Sequence, residues 1–199
     1  DVKKLMWEFN FMLDYYVDKF CDSPLENSAR KELSEVFASL CESLAAEKLY
    51  FTHRDYHSRN LMCDQGHLVL IDFQDARMGP CQYDLVSLLK DSYVKINDTL
   101  VEELIDYYIF LKEKEEGQEV DRERFRDIFD KMSIQRNLKA VGTFAYQSVK
   151  KNNNRYEDFI VPTLSYVQKT LMRRFKGTSL QKVLLKHIPG LDQEGTFDL

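Results

Sequence analysis

Glycine is the residue this chain can least spare: there are seven in 199 positions, and the first is Gly66. A glycine-rich loop that wraps a phosphate needs residues tolerant of positive φ and of close backbone approach, so none can form in residues 1–65. Cysteine is sparse as well. The four, at 21, 41, 63 and 81, are widely spaced with no C-x-x-C pair, which excludes a small disulfide-stapled scaffold and reads as reduced thiols. No apolar run approaches the ~20 residues of a membrane-spanning helix. Lys3 and Lys4 are followed by Trp7 and Glu8 where a signal peptide would carry its apolar core, so a cytoplasmic location without a membrane partner is expected. Basic residues are outnumbered, 28 against 33 acidic, for a net charge of −5. Such a chain has no field to hold a nucleic acid, and a small-molecule partner is expected.

What is present is enough for a folded domain. Hydrophobic residues make up 44% and charged residues 31% of the chain, well away from disordered compositions, and the length suits one domain. Val2, Leu5, Met6, Phe9, Met12, Leu13, Tyr16 and Phe20 recur at three and four, which predicts a helix with one apolar face. Ala29, Leu33, Phe37, Leu40 and Leu44 predict a second helix after the Ser23-Pro24 break. Between Leu49 and Phe73 the period shortens: Leu61-Met62 and Leu68-Val69-Leu70-Ile71 read as strands around a turn at Asp64-Gln65-Gly66. Helices are then expected over about 83–96, from Thr99 with a capping box to Glu102, over about 122–150 and over about 157–174. Residues 112–119 read as an exposed charged connection, and Arg122, Arg124 and Arg126 as a solvated face. The tail, 176–199, with Pro189, Gly190 and Gly195, reads as loosely held. The expected class is α+β, predominantly α.

The chemistry concentrates in one place. His53, Asp55, Asn60 and Asp72 follow the pattern H-x-D-x-x-x-x-N, a strand, then apolar-Asp-Phe. In phosphoryl transfer to a hydroxyl, an Asp accepts or orients the hydroxyl proton, while an Asn and a second Asp hold Mg²⁺ against nucleotide phosphates. The four-residue gap lets one loop present the base at one end and a neutral oxygen ligand at the other, and a hairpin brings the second Asp back. Taken singly, these residues have plainer readings. His53 suits packing, and His57 suits loop support or a substrate contact. Asp75 suits a local cap or a second polar group at the site, and Asp84 a first-turn aspartate favoured by the helix dipole. His67 and His187 read as surface residues without partners.

HRDYHSRNLM, IDFQDA and GPCQYDLVSLLKDSY together resemble the catalytic loop, metal segment and following helix of the aminoglycoside-phosphotransferase-like small-molecule kinases. Within that family the chain is similar to the bacterial anomeric kinases of N-acetylmuramate and N-acetylglucosamine, a likeness shared by QRNLKAVGTFAY and running from about residue 50 to 175. The resemblance implies ATP and Mg²⁺ as cofactors, a sugar hydroxyl as acceptor, Asp55 as catalytic base, and Asn60 and Asp72 as metal ligands. It implies Asp84 as an anchor accepting hydrogen bonds from the loop backbone, His53 and Arg54 as braces, and His57, Arg59 and Asp75 as loop or substrate contacts. It also implies a protein-kinase-like C-terminal lobe with short catalytic β-hairpins: loop 53–60, metal segment 71–75, helices over 83–175.

Two further expectations follow. Only 11 residues lie between Asp72 and Asp84, too few for the long activation segment and peptide-docking surface of a protein kinase, which favours a small acceptor. Gln74 stands where that segment usually has Gly, removing backbone freedom. The strand lysine, helix glutamate and hinge of an N-terminal lobe have no place before residue 53, so that lobe is expected upstream or in a partner chain. A chain opening at Asp1 then reads as an excised piece, nearly inactive alone. Two competing readings are a metallohydrolase using His53-x-Asp55-x-His57, and a kinase lobe acting as a binding or regulatory module. Choline, aminoglycoside, homoserine and fructosamine-type acceptors remain open on the same scaffold.

Overall fold

The computed structural model describes residues 1–192. The chain divides into two compact units, Asp1–Ala46 with Ser133 onward, and Glu47–Met132. Seven helices are described, together with two separate two-stranded antiparallel sheets.

In the first unit, α1 (Val2–Met12) starts at Asp1, whose Oδ1 accepts from Lys4 N at 2.8 Å. The helix runs on without a break as a π-helical stretch, Leu13–Phe20, closed by a Cys21 N–H bond to Tyr16 O at 2.9 Å. α2 (Asn27–Ala45) lies against α1. The rings of Phe9 and Phe37 stack with centroids 3.8 Å apart and planes 5° from parallel, and both are fully buried. Gly142, on the part of α5 (Arg122–Lys151) that belongs to this unit, lies against the α1 backbone: a Cβ there would come within 2.6 Å of Met12 Cα. α6 (Ile160–Arg174) carries Pro162 in its first turn, where the missing N–H costs nothing.

The described part of the tail, 176–192, is more ordered than its composition suggests. Thr178 caps α7 (Ser179–His187) by accepting from Gln181 N at 3.2 Å. Leu184, Ile188 and Leu191 are buried, so apolar spacing outweighs the Pro189-Gly190 pair; Gly195 lies outside the described residues. His187 is no lone surface histidine either, since its Nε2 lies 2.8 Å from Glu32 Oε2.

In the second unit, β1 (Leu49–Thr52) pairs with β4 (Arg77–Pro80), and β2 (Leu61–Asp64) with β3 (His67–Leu70). The β2–β3 turn is a two-residue loop in which Gln65 (φ 48°) and Gly66 (φ 82°) are both left-handed, the combination that matches strand twist. α3 (Gln82–Leu89) and α4 (Asp98–Glu116) complete the unit with the start of α5. Two expectations fail at α4. Its cap is Asn97, which accepts from Thr99 N at 2.8 Å, because an Asn at the extended position before the first turn serves the orphan amides better than Thr99 inside it. Residues 112–116 are its last turns rather than a connection, and Gly117 ends the helix at φ 65°.

That charged stretch is tied down. Lys112 donates to both Tyr50 and Glu116, Tyr50 Oη donates to Glu116 Oε1 at 2.8 Å, and Lys48 reaches Oε2 at 3.4 Å. Arg122, Arg124 and Arg126 are paired too, with Asp106 and Glu113, with Glu47, and with Glu102 and Asp106 respectively. The bonds from Lys112 and Tyr50 hold the Glu116 carboxyl down to about 2.

Two outcomes are expected. Gly142→Ala should lower unfolding free energy by about 1–3 kcal/mol in urea titrations, because the new methyl overlaps backbone that cannot step aside. Glu116 has a folded pKa below its unfolded one, so its contribution is complete above about 4.5 and is lost as pH falls towards about 2. Thermal melts of wild type and Glu116→Gln should therefore differ near neutral pH and converge across that window.

Candidate active site

β1 ends at Thr52, whose Oγ1 bonds Arg77 O across the sheet at 2.9 Å, and the chain then turns sharply through His53, Arg54 and Asp55. The turn leaves Arg54 at φ 74°, a conformation that costs a non-glycine residue of order 1 kcal/mol. Asp84, in the first turn of α3, holds it there. Its Oδ2 accepts from His53 N at 2.6 Å and its Oδ1 from Arg54 N at 2.9 Å. The Arg54 guanidinium lies 5.0 Å from the Tyr83 ring centroid.

The second half of the loop has a matching support that the sequence reading missed. Asp91, buried just beyond α3, accepts from Ser58 N through Oδ2 and from Tyr93 N through Oδ1, each at 2.8 Å. Tyr93 in turn receives the His57 ring edge-on at 5.3 Å and the Arg59 guanidinium at 3.7 Å. The available signal was the D-S-Y sequence directly after a helix end, where an Asp can bond the amide two residues on.

Between these two anchors, a 3₁₀ turn (Ser58–Asn60) follows His57. Asn60 Nδ2 donates to Asp55 O at 2.9 Å, which fixes the amide plane and leaves Oδ1 for another partner. The hairpin register continues one step past Leu61 and Leu70, with Ile71 N donating to Asn60 O at 3.1 Å, so Asp72 follows the residue facing Asn60. His53 Nε2 lies 3.0 Å from Ile71 O. A carbonyl only accepts, so the ring proton sits on Nε2, and buried Nδ1 has no partner among the described residues. His53 thus pins the segment before Asp72 to the loop. Asp72 itself is left-handed at φ 69°, exposed, and like Asp55 makes no side-chain hydrogen bond or ion pair among the described residues. Asp75 is exposed and caps nothing among the described residues, because the turn there closes through the backbone, Ala76 N to Phe73 O at 3.0 Å.

An oriented amide oxygen and an uncommitted carboxylate are ligand types that suit Mg²⁺, which takes few protein oxygens and fills its octahedron with water and phosphate. They do not suit zinc. No group of three or more His, Cys, Asp or Glu side chains gathers for a metal among the described residues, and His53 Nε2 is committed to a carbonyl, which removes the ground for the metallohydrolase reading.

A sequence model of the phosphotransferase enzyme family matches residues 6–124, more than half of the chain. The chain belongs to that family. Over 199 residues it is 31% identical to the N-acetylmuramate/N-acetylglucosamine kinase of Neisseria meningitidis serogroup B, a match covering 99% of this chain and 59% of that protein. It is 29% identical over 168 residues to the like-named kinase of Pseudomonas putida, covering 84% of this chain and 50% of that protein. The Pseudomonas aeruginosa counterpart is 28% identical over 186 residues, covering 92% and 55%. The chain spans little more than half the length of these curated relatives. The resemblance carried by HRDYHSRNLM, IDFQDA and GPCQYDLVSLLKDSY is borne out in this phosphotransferase family and its kinase-named relatives.

The two aspartate anchors lead to a stability prediction. Asp84→Ala and Asp91→Ala should each cost about 1.5–3 kcal/mol per lost bond to a charged acceptor. Amide hydrogen exchange should accelerate selectively at His53 and Arg54 in the first variant and at Ser58 and Tyr93 in the second.

Proposed function

We propose that the protein of which this sequence is a part is an ATP-dependent kinase of a small amino sugar, acting on the C1 hydroxyl. The observation that carries the reading is the arrangement around the Ile71 N to Asn60 O bond, which links the loop bearing Asp55 to the segment bearing Asp72. In the reaction the sugar hydroxyl oxygen attacks the γ-phosphorus, the bond to the bridging β–γ oxygen breaks, and ADP leaves. Asp55 accepts or orients the hydroxyl proton. Asn60 Oδ1 and the Asp72 carboxylate would hold Mg²⁺, which when bound offsets phosphate charge. His53, Asp84 and Asp91 keep the loop backbone in place, so no reorganisation is needed as charge moves.

The acceptor class rests on the relatives' printed names and on the short span from Asp72 to Asp84, most of which is taken up by β4 and the start of α3. The chain is read as a C-terminal lobe. The second unit supports this: Phe51, Met62, Leu68, Phe73 and Met78 are all more than half exposed, an apolar surface that a soluble protein ordinarily covers. In this reading an N-terminal lobe covers it and supplies the nucleotide-phosphate contacts. The whole protein would work in the cytoplasm.

The test joins the 199-residue chain to the portion of the Neisseria meningitidis relative that it does not match. The chimera should phosphorylate N-acetylglucosamine or N-acetylmuramate with ATP and Mg²⁺, and Asp55→Asn should lower its turnover by ~10²–10⁴-fold, the usual contribution of a positioned base. The chain alone should turn over far more slowly than the chimera. A folded chimera that hydrolyses or transfers nothing would leave the lobe as a binding module.

A further inference from the structure

The loop from His53 to Asn60 carries two arginines, Arg54 and Arg59, one on either side of Asp55. Both sit against tyrosine rings. The Arg54 guanidinium lies 5.0 Å from the Tyr83 centroid, and that of Arg59 lies 3.7 Å from the Tyr93 centroid. Each tyrosine also neighbours an aspartate that holds the loop backbone. Tyr83 directly precedes Asp84, and Tyr93 follows Asp91 by two residues and donates its own N–H to Asp91 Oδ1 at 2.8 Å. The Tyr93 ring receives a second loop residue, the His57 imidazole, edge-on at 5.3 Å. Asp91 and Tyr93 between them therefore hold three consecutive residues, His57, Ser58 and Arg59, immediately before Asn60.

The seat of Arg59 matters because of what lies within its reach. Asp55 and Asp72 carry carboxylates that make no hydrogen bond or ion pair among the described residues. The short Asn60 side chain already spans the loop to Asp55 O at 2.9 Å, and Ile71 N donates to Asn60 O at 3.1 Å. The longer side chain of Arg59, one position earlier, thus has the length to meet either carboxylate. A guanidinium would offer such a group two parallel N–H bonds. It lies instead on an aromatic face, which attracts a cation through its quadrupole and carries no net charge. The ring holds the arginine without adding a carboxylate that would draw a metal ion to the wrong place.

We propose that Tyr93 is a positioning residue for phosphoryl transfer: it seats Arg59 so that the guanidinium does not occupy the Asp55 and Asp72 carboxylates, which stay open to the acceptor hydroxyl and to a divalent cation. The proposal rests on the reading of Asn60 and Asp72 as Mg²⁺ ligands, and every residue it uses belongs to the second unit. Without the ring, Arg59 turns to a carboxylate and competes with the ion for it. The competition belongs to the arginine, so removing Arg59 as well reverses it. Lost packing would not be repaired by deleting a further side chain.

The isotope-labelled 199-residue chain is titrated with Mn²⁺, whose unpaired electrons broaden amide signals near the bound ion and so report even weak binding. Wild type should show saturable broadening at Asn60 and Asp72. Tyr93→Ala should raise the midpoint about fivefold, the upper range for one exposed ion pair. Tyr93→Phe, which keeps the ring, should match wild type, and Tyr93→Ala combined with Arg59→Ala should return to the wild-type midpoint. Far-UV circular dichroism checks each fold, and Tyr93→Leu, which keeps apolar bulk without a ring face, replaces Tyr93→Ala if that variant unfolds. An unchanged midpoint in the ring-less variant, a double variant as weak as the single one, or no broadening at Asn60 and Asp72 in wild type overturns the proposal. If one of these results is found while the chimera transfers phosphate, the seat falls and the kinase reading stands. If the expected pattern is found while the folded chimera transfers none, the seat stands and the kinase reading falls.

Discussion

The Asp84 carboxylate is the point on which the site is hung. Two backbone amides, those of His53 and Arg54, donate to its two oxygens, and the residue after them is Asp55. Arg54 adopts a left-handed conformation that an arginine does not choose unaided, so the direction in which Asp55 leaves the strand is imposed by α3 and not by the loop. An ionised acceptor of two N–H bonds is about twice as strong per bond as a neutral one. That strength lets a short loop carry strain without a large apolar core of its own.

From that anchor the other constraints follow in sequence. Asp91 fixes the far end of the loop through Ser58, Asn60 folds its amide back onto Asp55 O, and His53 reaches across to Ile71 O. Polar groups within the loop are therefore spent on holding the backbone, while the carboxylates of Asp55 and Asp72 are kept free of partners among the described residues. Two uncommitted carboxylates beside a loop whose backbone amides are held by Asp84 and Asp91 are the groups left to meet a ligand that arrives from outside.

Much of this could be read in the sequence because it is local. Helical spacing found the long helices, and the Asp64-Gln65-Gly66 turn between short apolar runs found the β2–β3 hairpin. The β1–β4 pairing joins segments about 25 residues apart, and nothing in the intervening residues fixes such a register. The π-helical turns after Met12 leave no signature distinct from an ordinary amphipathic helix. α7 was missed because glycine and proline beside it carried more weight than the spacing of Leu184, Ile188 and Leu191. Asp91 was missed for a related reason: an anchor acts through geometry with Ser58, 33 residues away, and only Asp84 was recovered, through the family resemblance and not through its own surroundings.

The two small sheets have a further consequence. Among the described residues each has only two strands, so each of the four strands keeps one edge bonded to no other described strand, and β3 is exposed along its whole length. Open backbone edges beside apolar side chains are templates for adding strands from other molecules. Kept concentrated and without a cover, this chain would tend to recruit copies of itself, so the same hairpin that turns the chain back to Asp72 also sets an upper limit on its colloidal solubility.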